Sequence, residues 1–253
     1  MIDRRSLLSW VGASVTGAVG PRLCNAAARP QTLGVVALES FYVADAEQMP
    51  RLHAYLGGVV LPLMKEMHHG PGICLEAIVA PQSPQALLVT AFSSLDEMLA
   101  TRGRIAADRL IQNRRAELES AGVLLEVRSQ ILIGTQQTLR FPADSDRLKT
   151  GIFEIRSYHC SSWHAEPPSR VTATFNRSGI HPIVNAACAA GEHMPQFTYV
   201  IPFESLATRH EAWSRLAADC DWIAVERECA RGGSCLKVTS KSIYKLAPSP
   251  RLT

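Results

Sequence analysis

Several features that mark large protein classes are missing from this 253-residue sequence. After residue 30 there is no apolar run near the roughly 20 residues a membrane-spanning helix needs. No long Lys/Arg run occurs either, which argues against nucleic acid or an anionic membrane as partner. There is no phosphate-cradling glycine loop and no nucleophile elbow; Gly57-Gly58 sits among helix-like apolar residues without a P-loop lysine. No Cys-x-x-Cys pair supplies half of a zinc site. Aromatics make up only 6% of the chain, and Trp163, Trp213 and Trp222 read as packing residues rather than a nucleotide platform. These absences leave no residue to assign as catalytic, no metal site and no required cofactor.

The N-terminus, in contrast, is rich in signal. Arg4 and Arg5 precede Leu7 and Leu8, a modest apolar run extends to Gly20, Pro21 breaks it, and Ala26-Ala27-Ala28 forms a small-residue cleavage site. Residues 1–28 therefore resemble a twin-arginine export signal, which predicts a periplasmic or secreted protein. Its removal takes Arg4, Arg5, Arg22 and Asp3, lowering formal net charge from +3 to +1, so much of the basic pI belongs to the signal. No membrane association is expected once it is cleaved. Five of the six remaining cysteines follow residue 150, and an oxidising compartment favours disulfides there. The Cys229-Ala-Arg-Gly-Gly-Ser-Cys235 segment has two glycines that let it turn back, making Cys229 and Cys235 the candidate bridge.

Strand and helix signals then alternate in a repeated order. Residues 32–43 are rich in Val and aromatics and read as a strand; Leu52, Tyr55, Leu56, Val59, Val60 and Leu63 recur at helical spacing. Two short strands joined across Pro81–Pro84, a helical stretch opened by Ser94, and a fourth strand at 124–133 complete a β-α-β-β-α-β unit, the ferredoxin-like arrangement. After a polar stretch at 140–150 the order runs again. Phe92-Ser93-Ser94-Leu95 answers Phe203-Glu204-Ser205-Leu206, and Val127-Arg128-Ser129 answers Val238-Thr239-Ser240, both at an offset of 111 residues. A single such unit leaves one sheet face bare, and two can bury those faces together. The predicted fold is thus α+β: two ferredoxin-like βαββαβ units, 32–139 and 151–247, packed as an α/β-barrel.

The second half carries a family resemblance. "FEIRSYHC", "FNRSGIHPI", "MPQFTYVIPFESLATRHEAWSRLAADCDWIAV" and "KVTSKSIYKL" resemble the NIPSNAP family over nearly all of 151–246. The Glu-x-Arg-x-Tyr strand motif is Glu154, Arg156 and Tyr158; the Gly-Ile-His-Pro stretch is Gly179 to Pro182; the following helix carries Ala207, Arg209, Trp213 and the pair Asp221-Trp222. In the first half Leu38, Ser40 and Tyr42 stand at the motif position, so only the tyrosine survives. The resemblance implies the dimeric α/β-barrel arrangement, and it implies little chemistry.

Strand alternation places Glu154, Arg156 and Tyr158 on one face. Facing the barrel interior, they would form a candidate site for a small polar ligand, with Arg156 offering a fork to a carboxylate; the competing expectation is an internal ion pair that fixes packing. His181, before Pro182, is expected to line the interior opening. His159, Cys160 and His164 carry metal-type donors, but His159 and Cys160 point to opposite strand faces; His68-His69 reads as a helix end. The functional expectation is a non-catalytic module that binds a small molecule or a protein, with a homo-oligomer left open. The alternative is a cofactor-free or haem-dependent oxidoreductase or monooxygenase-like enzyme, which rests on fold analogy.

Overall fold

Alternation in the strands, two apolar helix layers and repeated capping residues together produce a closed barrel wrapped by helices. The computed structural model describes residues 33–67, 70–135, 151–159, 169–192, 194–231 and 237–248. Residues 1–28, where an export signal is expected, and Cys160, Trp163, His164, His68-His69 and Cys235 lie outside the described residues, as does the side chain of Cys229. The expected Cys229–Cys235 bridge therefore falls outside them too.

The first half contributes β1 (Leu33–Val43), β2 (Gly72–Val79), β3 (Gln85–Phe92) and β4 (Leu124–Thr135). The second contributes β5 (Ile152–His159), β6 (Val184–Ala190), β7 (Gln196–Phe203) and β8 (Lys237–Leu246). They close in the order β1-β3-β2-β8-β5-β7-β6-β4, with every neighbouring pair antiparallel. Two seams join the halves, β2 to β8 and β4 to β6. The observed fold is the α+β barrel of ferredoxin-like units that the element order predicts.

Between β1 and β2 run α1 (Met49–Tyr55) and α2 (Leu61–Met67), joined by a π-helical turn over Leu56–Val60 in which the Leu61 N–H reaches back to the Leu56 carbonyl. Gly57-Gly58 lies in this turn, where weak helix propensity permits the wider ring. The later helices are α3 (Leu95–Ala107) and α4 (Arg109–Ser120) in the first half. The second half has α5 (Ser169–Ser178), α6 (Leu206–Ala218) and α7 (Cys220–Arg231). α3 and α6 are both 13 residues long, and α4 and α7 both 12. Their caps match as well. Ser94 accepts from the Glu97 N–H and Ser205 from the Thr208 N–H. Asp108 and Asp219 each end one helix and cap the next, accepting from Ile111 and Trp222 N–H groups. Gly179, at φ +83°, closes α5 in the left-handed conformation that glycine adopts freely, and Ile180 donates to the Phe175 carbonyl.

The period-two strand pattern divides the core into three. Residues from all eight strands, among them Val36, Leu75, Val89, Phe153, Val184 and Val200, fill the barrel interior. The outer face of β1–β4 packs beneath α1–α4 around Leu52, Leu56, Met98 and Ile111. The outer face of β5–β8 packs beneath α5–α7 around Phe175, Tyr199, Ile201 and Leu216.

Register corrects two matches drawn from the sequence. Val35 pairs with Phe92 as Ile152 pairs with Phe203, so Glu154, Arg156 and Tyr158 correspond to Ala37, Glu39 and Phe41 rather than to Leu38, Ser40 and Tyr42. A slip of one residue exchanges the faces of a strand. Likewise Phe41 pairs with Val127 as Tyr158 pairs with Val238, so those valines correspond, but Ser40 pairs with Arg128 while Ser157 pairs with Ser240, so Ser129 and Ser240 stand one residue out of register. The irregularity between Ser157 and Tyr158 accounts for the step.

Candidate functional site

Phe153, Ile155 and Ser157 are the residues of β5 that face the barrel interior, and this decides where the motif points. Glu154, Arg156 and Tyr158 lie on the outer face, beneath α6. The expectation that they line the interior is overturned, because the apolar alternates of the same strand are needed to fill the barrel. Their geometry is that of a brace. Glu154, 0% exposed, accepts from Arg156 Nε at 2.7 Å, Arg209 Nε at 3.0 Å, Arg209 Nη2 at 2.6 Å and Trp213 Nε1 at 2.6 Å. The Arg156 guanidinium also stacks on Trp213, 3.3 Å from the ring centroid, and donates to the Tyr158 hydroxyl at 3.3 Å. Burial pushes the Tyr158 phenol up, with Arg156 opposing. A buried carboxylate with four donors from two elements holds α6 to β5.

His181 lies apart from this cluster. It is exposed, at the start of β6, with Nδ1 3.3 Å from Asn176 Oδ1 of α5. The polar cavity of the barrel is at the other end of β6, so His181 does not line it. Trp213 and Trp222 pack around Phe175, with ring centroids 5.9 and 5.7 Å away. Among the described residues, no cluster of three or more His, Cys, Asp or Glu is placed to hold a metal ion. Cys74 and Cys188 are buried and unbridged, and Cys220 is exposed. Burial, with Glu76 adding to it, pushes the Cys74 thiol up to about 12, which suits an inert core thiol.

The opening is at the end of the barrel where β1, β2, β5 and β6 finish. There the interior changes from apolar to polar, leaving a cavity of about 270 Å³. Its floor is Leu38, Leu87 and Ile155. Ser40 and Ser157 occupy equivalent places on β1 and β5, and Gln85 and Gln196 open β3 and β7 in the same way. Gln130, Ser240, Ser242 and Tyr244 complete the walls, while Tyr42, Arg128 and Glu192 stand at the rim. Several of these groups are held in place by hydrogen bonds to one another and to the backbone. Gln85 Nε2 donates to the Pro81 carbonyl at 2.6 Å, and the Tyr244 hydroxyl donates to Gln85 Oε1 at 3.4 Å. Ser157 Oγ is 3.1 Å from Thr198 Oγ1, which also accepts from Gln196 Nε2 at 3.4 Å. Burial raises the Tyr244 phenol, with a Ser242 hydrogen bond opposing. Gln82 in the rim turn has φ 57°, a left-handed backbone that costs a side-chain-bearing residue about 1–2 kcal/mol.

Sequence reasoning missed this cavity. Its signal was present as polar residues at strand positions facing inward, Ser40, Ser157 and the Ser240-x-Ser242-x-Tyr244 alternation. The register that identifies the inward face is set by pairing, which the residue letters alone misassigned by one.

Among solved structures, the chain is similar to a variant of chlorite dismutase from Candidatus Nitrospira defluvii at 10% identity and TM-score 0.49, over 87% of this chain and 93% of that one. It is similar to a haem-binding protein from Thermus thermophilus at 11% identity and TM-score 0.48, over 88% and 96%. An uncharacterized NIPSNAP-like domain protein from Burkholderia xenovorans aligns at 11% identity and TM-score 0.36, over 43% of this chain and 91% of its own. No curated protein matches the chain in sequence. Residues 152–250, the stretch that carries the Glu154 brace, match the NIPSNAP family model.

Proposed function

We propose that this protein is an exported, non-catalytic binding module whose ligand occupies the polar end of the barrel. The carrying observation is the local change in the interior. A barrel filled elsewhere by Val, Leu, Ile and Phe side chains has hydroxyls and carboxamides at one open end, where burial without partners is costly. At about 270 Å³ the cavity lies just below the roughly 300–1,000 Å³ of pockets for drug-sized ligands, which favours a small molecule. The strained Gln82 at the rim supports the same reading, since such backbone outliers gather at ligand clamps. Export through the Arg4-Arg5 signal after folding accords with a barrel that must close two halves on each other.

The rival reading is a cofactor-free or haem-dependent oxidoreductase or monooxygenase-like enzyme. The residues do not fit the haem-dependent form. Among the described residues no His, Cys or Met lines the cavity, its two tyrosines are engaged, Tyr42 by the Arg128 guanidinium and Tyr244 by Gln85, and its volume is that of a small ligand. Under α5–α7, Phe175, Tyr199, Trp213 and Trp222 fill the space with their own contacts.

The test is native mass spectrometry with an absorption spectrum on protein exported through its own signal. A small colourless adduct is the expected result. A visible cofactor band that survives purification would overturn the reading in favour of the enzyme.

A further inference from the structure

We infer that the ligand of the barrel cavity is an uncharged, hydroxyl-rich molecule, a cyclic polyol or a single sugar; this rests on the binding function proposed above. Three properties of the cavity carry the inference. The first is the donor–acceptor balance. Serine and tyrosine hydroxyls and glutamine carboxamides each donate and accept, so they match groups that do the same. Ser40 with Ser157, and Gln85 with Gln196, present that chemistry from both halves of the barrel. Gln85 keeps one amide N–H beyond its bond to Pro81, while the Tyr244 hydroxyl fixes its orientation.

The second property is charge. The only cationic lining group among the described residues is Arg128, and its fork is taken. Nε and Nη2 bond Glu126 at 2.7 and 3.0 Å, Nη1 is 3.6 Å from Glu192, and the guanidinium lies 5.1 Å from the Tyr42 ring centroid. An anionic ligand would meet an arginine already facing two carboxylates. A cation would have to draw Glu192 from Arg128. A charge of either sign is desolvated there without a counter-ion of its own. The third property is the floor. Leu38, Leu87 and Ile155 offer an apolar surface to the C–H face of a ring, while the hydroxyl groups around it meet the polar wall. An apolar ligand of the same size would leave the wall unsatisfied.

The test is isothermal titration of the mature, full-length protein with myo-inositol, ribose and glycerol as neutral probes, glucuronate as the anion and cyclohexanol as the apolar ring. At least one neutral polyol should bind saturably. Gln85→Leu and, at the less buried mouth, Ser240→Val should each weaken it about fivefold to tenfold, the worth of one hydrogen bond. Unfolding midpoints on the same samples identify a variant that fails to fold. Glucuronate should bind at least tenfold more weakly than the best polyol. Tighter binding of glucuronate or cyclohexanol, lost in the same variants, would overturn the ligand class and leave the cavity a binding site. If no probe binds and the exported protein has a clean apo mass, both readings fall.

Discussion

Glu154 shows how a charged motif can be structural. Its carboxylate is fully buried, and its four donors come from Arg156 on its own strand and from Arg209 and Trp213 on α6. Removing it leaves two guanidinium groups at a sheet–helix interface without their shared anion. Glu154→Ala is expected to cost about 3–5 kcal/mol, and Trp213→Phe, which keeps the ring but loses the N–H, about 1–3 kcal/mol. Urea unfolding measures both, and a loss under about 1 kcal/mol for Glu154→Ala would refute the brace. The motif letters already suggested an ion pair, and Arg209 and Trp213 stood in the same resemblance. What they could not say was which face of β5 is inside, because Phe153-x-Ile155-x-Ser157 is as good an inner stripe as Glu154-x-Arg156-x-Tyr158 is an outer one. Packing decides, by demanding apolar volume inside the barrel.

At the level of elements, the Ser94 cap was legible because its chemistry is local. The breaks at Asp108 and Asp219, where each aspartate ends one helix and caps the next, were not, since a single Asp inside a helical pattern does not by itself mark a boundary. Asp108→Ala is expected to destabilise by about 1 kcal/mol, read by thermal or urea unfolding. The π-turn at Leu56–Val60 was not legible, since Gly57-Gly58 allows a wider ring without requiring it. His53 of α1 is buried against β2 and β8, with Nε2 3.4 Å from Glu76 Oε2, while Lys245 Nζ holds Glu76 Oε1 at 3.0 Å. Burial lowers its pKa from the ordinary value of 6.5; Glu76 opposes this and Lys245 adds to it. Below pH 6.5 the unfolded chain takes up a proton that the folded imidazole resists, so stability falls as pH drops until the folded group also titrates. Comparing urea midpoints at pH 7 and pH 5, His53→Gln should reduce that fall. An unchanged pH dependence would show that His53 is not buried in its neutral form.

Across the whole molecule, the two halves depend on each other for an inside. Leu75, Val89, Phe153 and Val200 are each 0% exposed only because the opposite half covers them. Residues 151–253 expressed alone should therefore self-associate, pairing bare faces between copies, and size-exclusion chromatography with light scattering would show it. A folded monomer of that half would mean its inner face needs no cover. The element order was readable because strand and helix periods are written into each segment; the cavity was not, since it exists only where both halves bring polar strand ends together. Closure has one more consequence. A ring of strands has no first or last member, so among the described residues backbone N–H and C=O groups are left to template another chain only where β4 and β8 overrun the short β4–β6 and β2–β8 seams. Strand addition, a common way for proteins to recognise extended peptides, has little edge to begin on in this barrel. A protein partner would mainly read side chains on the helices or at the two mouths, and runaway sheet growth would first require the barrel to open.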